Sequence, residues 1–202
     1  MNNSLVTKVS NPMADDAKYS EQLLLRGAVN GDRAALKAIY GHYIGYLTAV
    51  CSRYIANDED VKDILQECFI KIFSSLKNFE YRGAGSLKGW MARIVINEAL
   101  SFMRSNNRLV FTELTGAEAD IAYEEPDTDQ IPPSVIHQLI CDLPTGYRTI
   151  FNLYVIEGRT HRDIAAMLNI KESTSASQLH RAKAMLAIKI RQYQSSLEPV
   201  SI

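Results

Sequence analysis

Apolar residues return at three- and four-residue intervals over most of this chain, and the intervals between such stretches are charged, small or proline-bearing. Leu36, Ile39, Tyr40, Tyr43, Leu47, Val50 and Tyr54 form one stripe, and Ile64, Leu65, Cys68, Phe69, Ile72, Phe73 and Leu76 form another. That period is the mark of amphipathic helices. Gly31 and the acidic run Asp58-Glu59-Asp60 mark helix boundaries, the carboxylates suiting the positive end of a helix. A third helix is expected from about Ser86 to Met103, with Leu87, Met91, Ile94, Val95 and Leu100 inward. Farther on, a short apolar segment from Val135 to Leu143 stops at "LPTGYR"; Ile150, Phe151, Tyr154 and Val155 then form the next face, which Gly158 ends. No segment shows strand alternation flanked by turn pairs, so the expected fold class is all-α.

The stretch "THRDIAAMLNIKESTSASQLHRAK", residues 160–183, reads as two helices joined by a tight turn. Thr160 with an acid three residues on resembles a capping box, although Asp163 stands where Glu or Gln is preferred. Asn169 suits a left-handed backbone at the turn. Ile164, Leu168 and Ile170 would form a small core, with Ala165 and Ala166 permitting close helix packing. Leu179, Ala182, Met185 and Leu186 continue an apolar stripe, leaving Thr174, Ser175, Ser177, Gln178, His180 and Arg181 at or near the other faces. This is a helix-turn-helix with a candidate recognition helix of about residues 172–190. A bare helical hairpin would give the same pattern.

Charge complicates a nucleic-acid role, because the net is only -1. By segment, however, residues 1–104 carry 13 Lys/Arg against 11 Asp/Glu, 105–133 one against seven, and 134–202 eight against five. Two mildly basic blocks thus flank an acidic middle. That middle is long, has little periodicity and ends in Pro132 and Pro133, which favours a flexible linker over an ordinary solvated loop. The expected organisation is an unstructured leader over 1–18, a helical domain over 19–106, the linker over 107–133, a second helical domain over 134–192 and an unstructured tail over 193–202.

No apolar run approaches the roughly 20 residues that cross a bilayer, and the N-terminus lacks a secretory h-region, so a cytoplasmic location without membrane insertion is expected. Cys51, Cys68 and Cys141 are dispersed within apolar patterns and read as buried core residues. His42, His137, His161 and His180 are equally scattered, so no metal site or cofactor is expected. Neither a Gly-rich phosphate loop nor a nucleophile or metalloprotease motif is present, and no catalytic residue is assigned.

Residues 58–108 carry the more specific signal. An amphipathic helix with Asp60, Asp63, Gln66, Glu67 and Lys71 on its outer face is followed by a Gly-rich loop bearing aromatics, then by a helix with Trp90, Arg93, Asn97 and Arg104. Aromatic and basic residues beside a flexible loop suit the capture of unstacked bases; core packing of Phe79 and Trp90 is the alternative. Here the chain resembles the extracytoplasmic-function (ECF) sigma factors, small initiation subunits of bacterial RNA polymerase. The resemblance rests on "DILQECFIKIFSSLKNF", "GSLKGWMARIVINEALSFMR" and "LPTGYRTIFNLYVIEGRTHRDIAAMLNIKESTSASQLHRAKAML", and covers about residues 20–108 and 134–190.

The resemblance implies that the two domains are sigma regions 2 and 4. It implies docking on core RNA polymerase through Asp60, Asp63, Gln66, Glu67, Phe69 and Lys71. It implies minus-ten promoter DNA contacts from Asn78, Phe79, Arg82, Ser86, Lys88, Trp90, Arg93, Asn97 and Arg104. Contacts to the minus-thirty-five element would come from Arg162, Lys171, Thr174, Ser175, Ser177, Gln178, His180, Arg181 and Lys183. Lys62 stands where the family often has an acid and Lys171 where it usually has a capping Ser or Thr, while Ala176 and Gln178 stand where basic residues are common, and these last two bear on the bases read. An anti-sigma factor is a further partner the family implies. A free-standing helix-turn-helix regulator of duplex operators is the alternative, and a helical adaptor binding only proteins a more distant one.

Overall fold

The computed structural model describes residues 12–106, 108–109, 111 and 124–197, with side chains from Glu21 onward. Most of the expected leader, the middle of the linker and the last residues of the tail lie outside the described residues. Every regular element described is helical: α1 Pro12–Val29, α2 Arg33–Ser52, α3 Asp58–Ser75, α4 Ser86–Ser105, α5 Pro133–Cys141, α6 Thr145–Phe151, α7 His161–Leu168 and α8 Glu172–Leu197, with a 3-10 turn at Leu76–Asn78 and a π turn at Asn152–Ile156. Helix reaches into both expected unstructured ends, since α1 starts at Pro12 and α8 runs to Leu197. On α8 the reason is visible: Ile190 is buried and Tyr193 half-buried, so the apolar stripe outlasts the point where composition turns polar.

Contacts divide the chain into two compact units, one made of the chain up to Val50 with Lys62–Asn97, the other of Cys51–Val61 with the chain from Glu98 onward. In the first, Ile39, Tyr43, Leu47 and Val50 of α2, Ile64, Leu65, Cys68, Phe69 and Ile72 of α3, and Leu87, Met91 and Val95 of α4 form an apolar core. These are the striped positions, because one face of each helix must leave water. Gly27 lets α1 and α2 pack closely: a Cβ there would stand 3.0 Å from the Cβ of Ala35. Tyr40 departs from the expected pattern, being 45% exposed, with its ring 4.6 Å from that of Phe69.

The second unit is held differently. Helices α5, α6 and α7 all pack on α8, and Tyr54, Ile55 and Val61 are buried in the same unit. Arg148, 6% exposed, donates from Nη1 to the Cys141 carbonyl at 2.6 Å and from Nη2 to the Tyr54 carbonyl at 3.1 Å. Asn152 Nδ2 donates to the Arg53 carbonyl at 2.9 Å, and Arg53 pairs with Glu157 at 3.0 Å. At the π turn the Glu157 amide bonds back five residues to the Asn152 carbonyl at 2.9 Å. In this wider turn Tyr154, Val155 and Ile156 are exposed, so Tyr154 and Val155 do not join Ile150 and Phe151 on the buried face as expected.

Cysteine burial follows expectation at two of three sites. Cys51 and Cys68 are buried, and burial pushes the Cys51 thiol up to about 12. Cys141 is instead only half-buried, because α5 contributes no fully buried residue. Its sulfur lies 3.6 Å from His137 Nε2 one turn away.

Candidate nucleic-acid interface

Helix α3 begins where the Asn57 side-chain oxygen accepts the amides of Glu59 and Asp60 at 2.9 and 3.0 Å. Acids at positions 58–60 then face the positive end of the helix. Three and four residues on, Asp63, Gln66, Glu67 and Lys71 are all exposed, and Asp60 is half-exposed in an ion pair with Arg108 at 2.6 Å. Phe69 does not join them. It is 5% exposed, its ring 4.6 Å from Tyr40 and 5.6 Å from Phe73, because its position belongs to the inward stripe. The adjacent Ile70 is 63% exposed beside the acids. An apolar residue off the stripe was the available signal for it.

The loop between α3 and α4 turns on Gly83 and Gly85, whose φ angles of 116° and 83° lie where side-chain-bearing residues are strained. Ser86 staples its end to α4: its hydroxyl donates to the Gly83 carbonyl at 2.6 Å and accepts the Arg82 amide at 3.2 Å. Phe79 and Trp90 are both half-buried with rings 4.9 Å apart and tilted by 39°. Each ring therefore packs against the other while part of the residue stays exposed. Arg82 pairs with Glu80 at 2.9 Å where both side chains are largely exposed, a contact worth little. Asn78 is exposed, and Lys88 holds its ammonium 4.1 Å above the Tyr46 ring.

Along α4, Trp90, Arg93, Asn97 and Arg104 recur at three, four and seven residues and share one outward stripe, opposite Leu87, Met91 and Val95. Arg93 and Asn97 are exposed; Arg104, also exposed, donates to the Met167 carbonyl at 3.1 Å. On the bundle side of the loop, the Glu21 carboxylate accepts from Tyr43 and Tyr81 hydroxyls at 2.5 and 3.2 Å. Burial and this bond push the Tyr43 phenol up. Sequence reasoning missed this group, since its members are 22 and 60 residues apart.

The C-terminal reader is built as its local sequence demands. Thr160 Oγ1 accepts the Asp163 amide at 3.1 Å while Asp163 Oδ2 accepts the Thr160 amide at 3.2 Å, so the capping box forms with aspartate. The hydrogen bonds from Thr160 hold the Asp163 carboxyl below its ordinary value. Asn169 takes φ 56° and ψ 50°, and the Ile170 amide closes the turn on the Ala165 carbonyl at 3.1 Å. Helix α8 then starts at Glu172, with Lys171 exposed before it and a cleft of about 320 Å3 bounded by Phe111, Asn169, Ile170, Lys171 and Thr174.

Two residues expected on the reading face lie inside instead. Ser175 is 0% exposed with its hydroxyl 3.0 Å from His161 Nδ1, and Gln178 is 2% exposed. Both are buried along α8, Ser175 against His161 of α7, and their polar character disguised it. Arg162 is exposed, while Thr174, Ser177, His180, Arg181 and Lys183 are partly exposed. Ser177 spends its hydroxyl on the Thr174 carbonyl at 3.1 Å. The acidic segment before α5 lies along the far part of this helix: Lys183 reaches Glu125 at 3.4 Å, Arg191 the Glu124 carbonyl at 3.0 Å, and Gln194 the Asp127 carbonyl at 2.8 Å. Among the described residues no group of His, Cys, Asp and Glu could hold a metal, and no helix is long and apolar enough to cross a membrane.

Comparison with known proteins adds to this geometry. Residues 39–109 match the family model described as Sigma-70 region 2, and residues 134–186 match Sigma-70, region 4. The chain is 26% identical over 186 residues to the ECF RNA polymerase sigma-E factor of Haemophilus influenzae, covering 86% of this chain and 97% of that one. It is 27% identical over 173 residues to the ECF RNA polymerase sigma factor SigE of Mycolicibacterium smegmatis, covering 82% and 66%. With the RNA polymerase sigma-H factor of Pseudomonas aeruginosa it shares 26% over 175 residues, covering 81% and 90%. Among solved structures, CnrH in complex with the cytosolic domain of CnrY is 19% identical, covering 85% of this chain and 97% of that one, with a TM-score of 0.44.

Proposed function

The chain belongs to the sigma-70 family, in its ECF group, and we propose that it works in the cytoplasm as a two-part adaptor that brings core RNA polymerase to promoter DNA. Residues 19–106 act as region 2 and 134–192 as region 4, with the acidic stretch between as the linker. The exposed row of Asp63, Gln66, Glu67 and Lys71, extended by Asp60 and Ile70, docks on the polymerase. The loop from Asn78 to Trp90, with Arg82, Ser86 and Lys88, receives an unstacked base of the minus-ten element beside Phe79. Arg93, Asn97 and Arg104 then run along the strand. Arg162, Lys171, Thr174, Ser177, His180, Arg181 and Lys183 approach the minus-thirty-five element in the major groove. Phe69, Ser175 and Gln178 support these surfaces from behind.

What carries the reading is the sequence of an acid-faced helix, a loop with two left-handed glycines and a helix whose outward stripe is Trp90, Arg93, Asn97. A dimerising or sensing block has no need of that order. Chemistry of bond formation belongs to the polymerase on this reading. The weak charge then makes sense: each domain alone neutralises few phosphates, but both tethered on polymerase act at high effective concentration. An anti-sigma factor that covers these surfaces is a further partner we infer from the group.

The test is transcription from a library of upstream regions by purified core polymerase with and without the protein. Initiation that requires the protein, at sites sharing two spaced elements, is the expected result. Asp63→Arg should abolish holoenzyme assembly while leaving the far-ultraviolet circular dichroism unchanged; normal assembly by the folded variant would remove α3 from the docking surface. Tight unaided binding to duplex DNA without stimulated transcription would establish a free-standing regulator instead.

A further inference from the structure

The segment from Phe79 to Gly85 is fixed at both ends by short-range bonds. At its start the Phe79 amide donates to the Leu76 carbonyl at 3.1 Å. At its end, the Ser86 hydroxyl holds Arg82 and Gly83, and the Ser86 amide donates to the Gly83 carbonyl at 3.1 Å. The middle is tied by a long-range contact, from the Tyr81 hydroxyl to Glu21 Oε2 at 3.2 Å. Glu21 in turn is not free to swing, because its other oxygen accepts from Tyr43 at 2.5 Å, and Tyr43 is 7% exposed in the bundle. One carboxylate therefore carries the position of a buried phenol to an exposed loop. The Tyr43 bond has the short length of a charge-assisted one, and the Tyr81 bond is longer and the weaker of the two.

From this arrangement we infer that Glu21 is a positioning residue for strand capture: through Tyr43 and Tyr81 it holds the 79–85 loop in the form that receives the unstacked base. The inference rests on the assignment of that loop to the minus-ten strand. Its physical content is preorganisation. A loop already held in its bound form loses less conformational freedom on binding, and with two left-handed glycines this one has much to lose without a tether. The effect should appear in retention of the single strand, with little change in assembly of the holoenzyme, since α1 carries none of the residues assigned to docking.

The experiment uses holoenzyme reconstituted from core polymerase and the full chain. The probe is a fork-junction DNA built from the strongest promoter the wild-type protein selects, its nontemplate minus-ten strand unpaired and labelled with 2-aminopurine. Tyr81→Phe removes one hydroxyl from an exposed loop and should leave the bundle folded. It is expected to weaken strand retention about three- to tenfold, the size of one partly exposed hydrogen bond to a charged group. Glu21→Ala should weaken it at least as much, and adding Tyr81→Phe to Glu21→Ala should cost nothing further, because both act through one contact. Glu21→Gln, which keeps one acceptor oxygen for two phenols and loses the charge, should restore only part of the retention. Holoenzyme assembly should be unchanged throughout. Wild-type retention by Tyr81→Phe overturns the inference alone, as would a loss in Glu21→Ala that Tyr81→Phe deepens independently. If the wild-type holoenzyme itself does not retain the strand while still assembling, the assignment of the loop falls and this inference with it.

Discussion

The two units bury different things. Among the described residues of the first, no charged, amide or aliphatic-hydroxyl side chain is buried; the second buries Arg148, Thr149, Asn152, Ser175 and Gln178. An apolar core is stabilised by area removed from water, which is not directional, so it tolerates repacking as long as volume is kept. A buried guanidinium or amide is stabilised only by particular partners and is costly without them. The first unit is therefore a scaffold held by burial and volume, and the second is one whose polar parts must meet particular partners.

The largest effect that separates them is expected from their centres. Leu47→Ala, at a fully buried site of the first core, should cost about 3–5 kcal/mol in urea unfolding, through lost burial and the cavity left behind. Arg148→Met keeps the bulk and removes the donors to the Cys141 and Tyr54 carbonyls. It should cost about 2–4 kcal/mol. Location distinguishes the two: hydrogen exchange should speed up at residues 51–57 in Arg148→Met and not in Leu47→Ala. Equal protection there in both variants would mean that the polar contacts do not specify the second core.

A smaller effect sharpens the comparison within the second unit. Thr160→Ala removes one half of the capping box at α7 and should cost about 1 kcal/mol, read as a lower midpoint with an unchanged slope. The smallest is a pH effect. The Asp163 carboxyl titrates lower in the fold than in the unfolded chain because Thr160 donates to it. Its contribution is therefore complete above about pH 4 and is lost as pH falls through the lowered folded value. Asp163→Asn should flatten the acid limb of the stability profile over that interval, and an unchanged limb would remove the carboxylate from the cap.

These differences also mark what the sequence could tell. The helices, the capping box at Thr160, the left-handed turn at Asn169 and the outward stripe of α4 are consequences of residues within a few positions of each other, where propensity and period suffice. The inward turn of Ser175 and Gln178 and the burial of Arg148 and Asn152 depend on helices elsewhere in the chain. A polar residue reads as outward until its distant partner is known, which is why the reading face of α8 was drawn too wide. Glu21 escaped for the same reason: its role exists only once Tyr43 and Tyr81 converge on it. Phe69 shows the converse error, a residue whose stripe already placed it inward but which the family resemblance moved to the surface.

The bonds joining residues 51–57 to Arg148 and Asn152 have a consequence for how the chain is made. Tyr54 and its partner are separated by 94 residues, so at ribosomal speeds of about 5–20 residues per second the segment waits about 5–20 s for the donor to be synthesised. During that interval the apolar helices before it can collapse on local contacts alone, while the Arg53 and Tyr54 carbonyls remain hydrated. The segment at 51–57 is thus made early and finished late, its carbonyls paired only once Arg148 and Asn152 have been added to the chain.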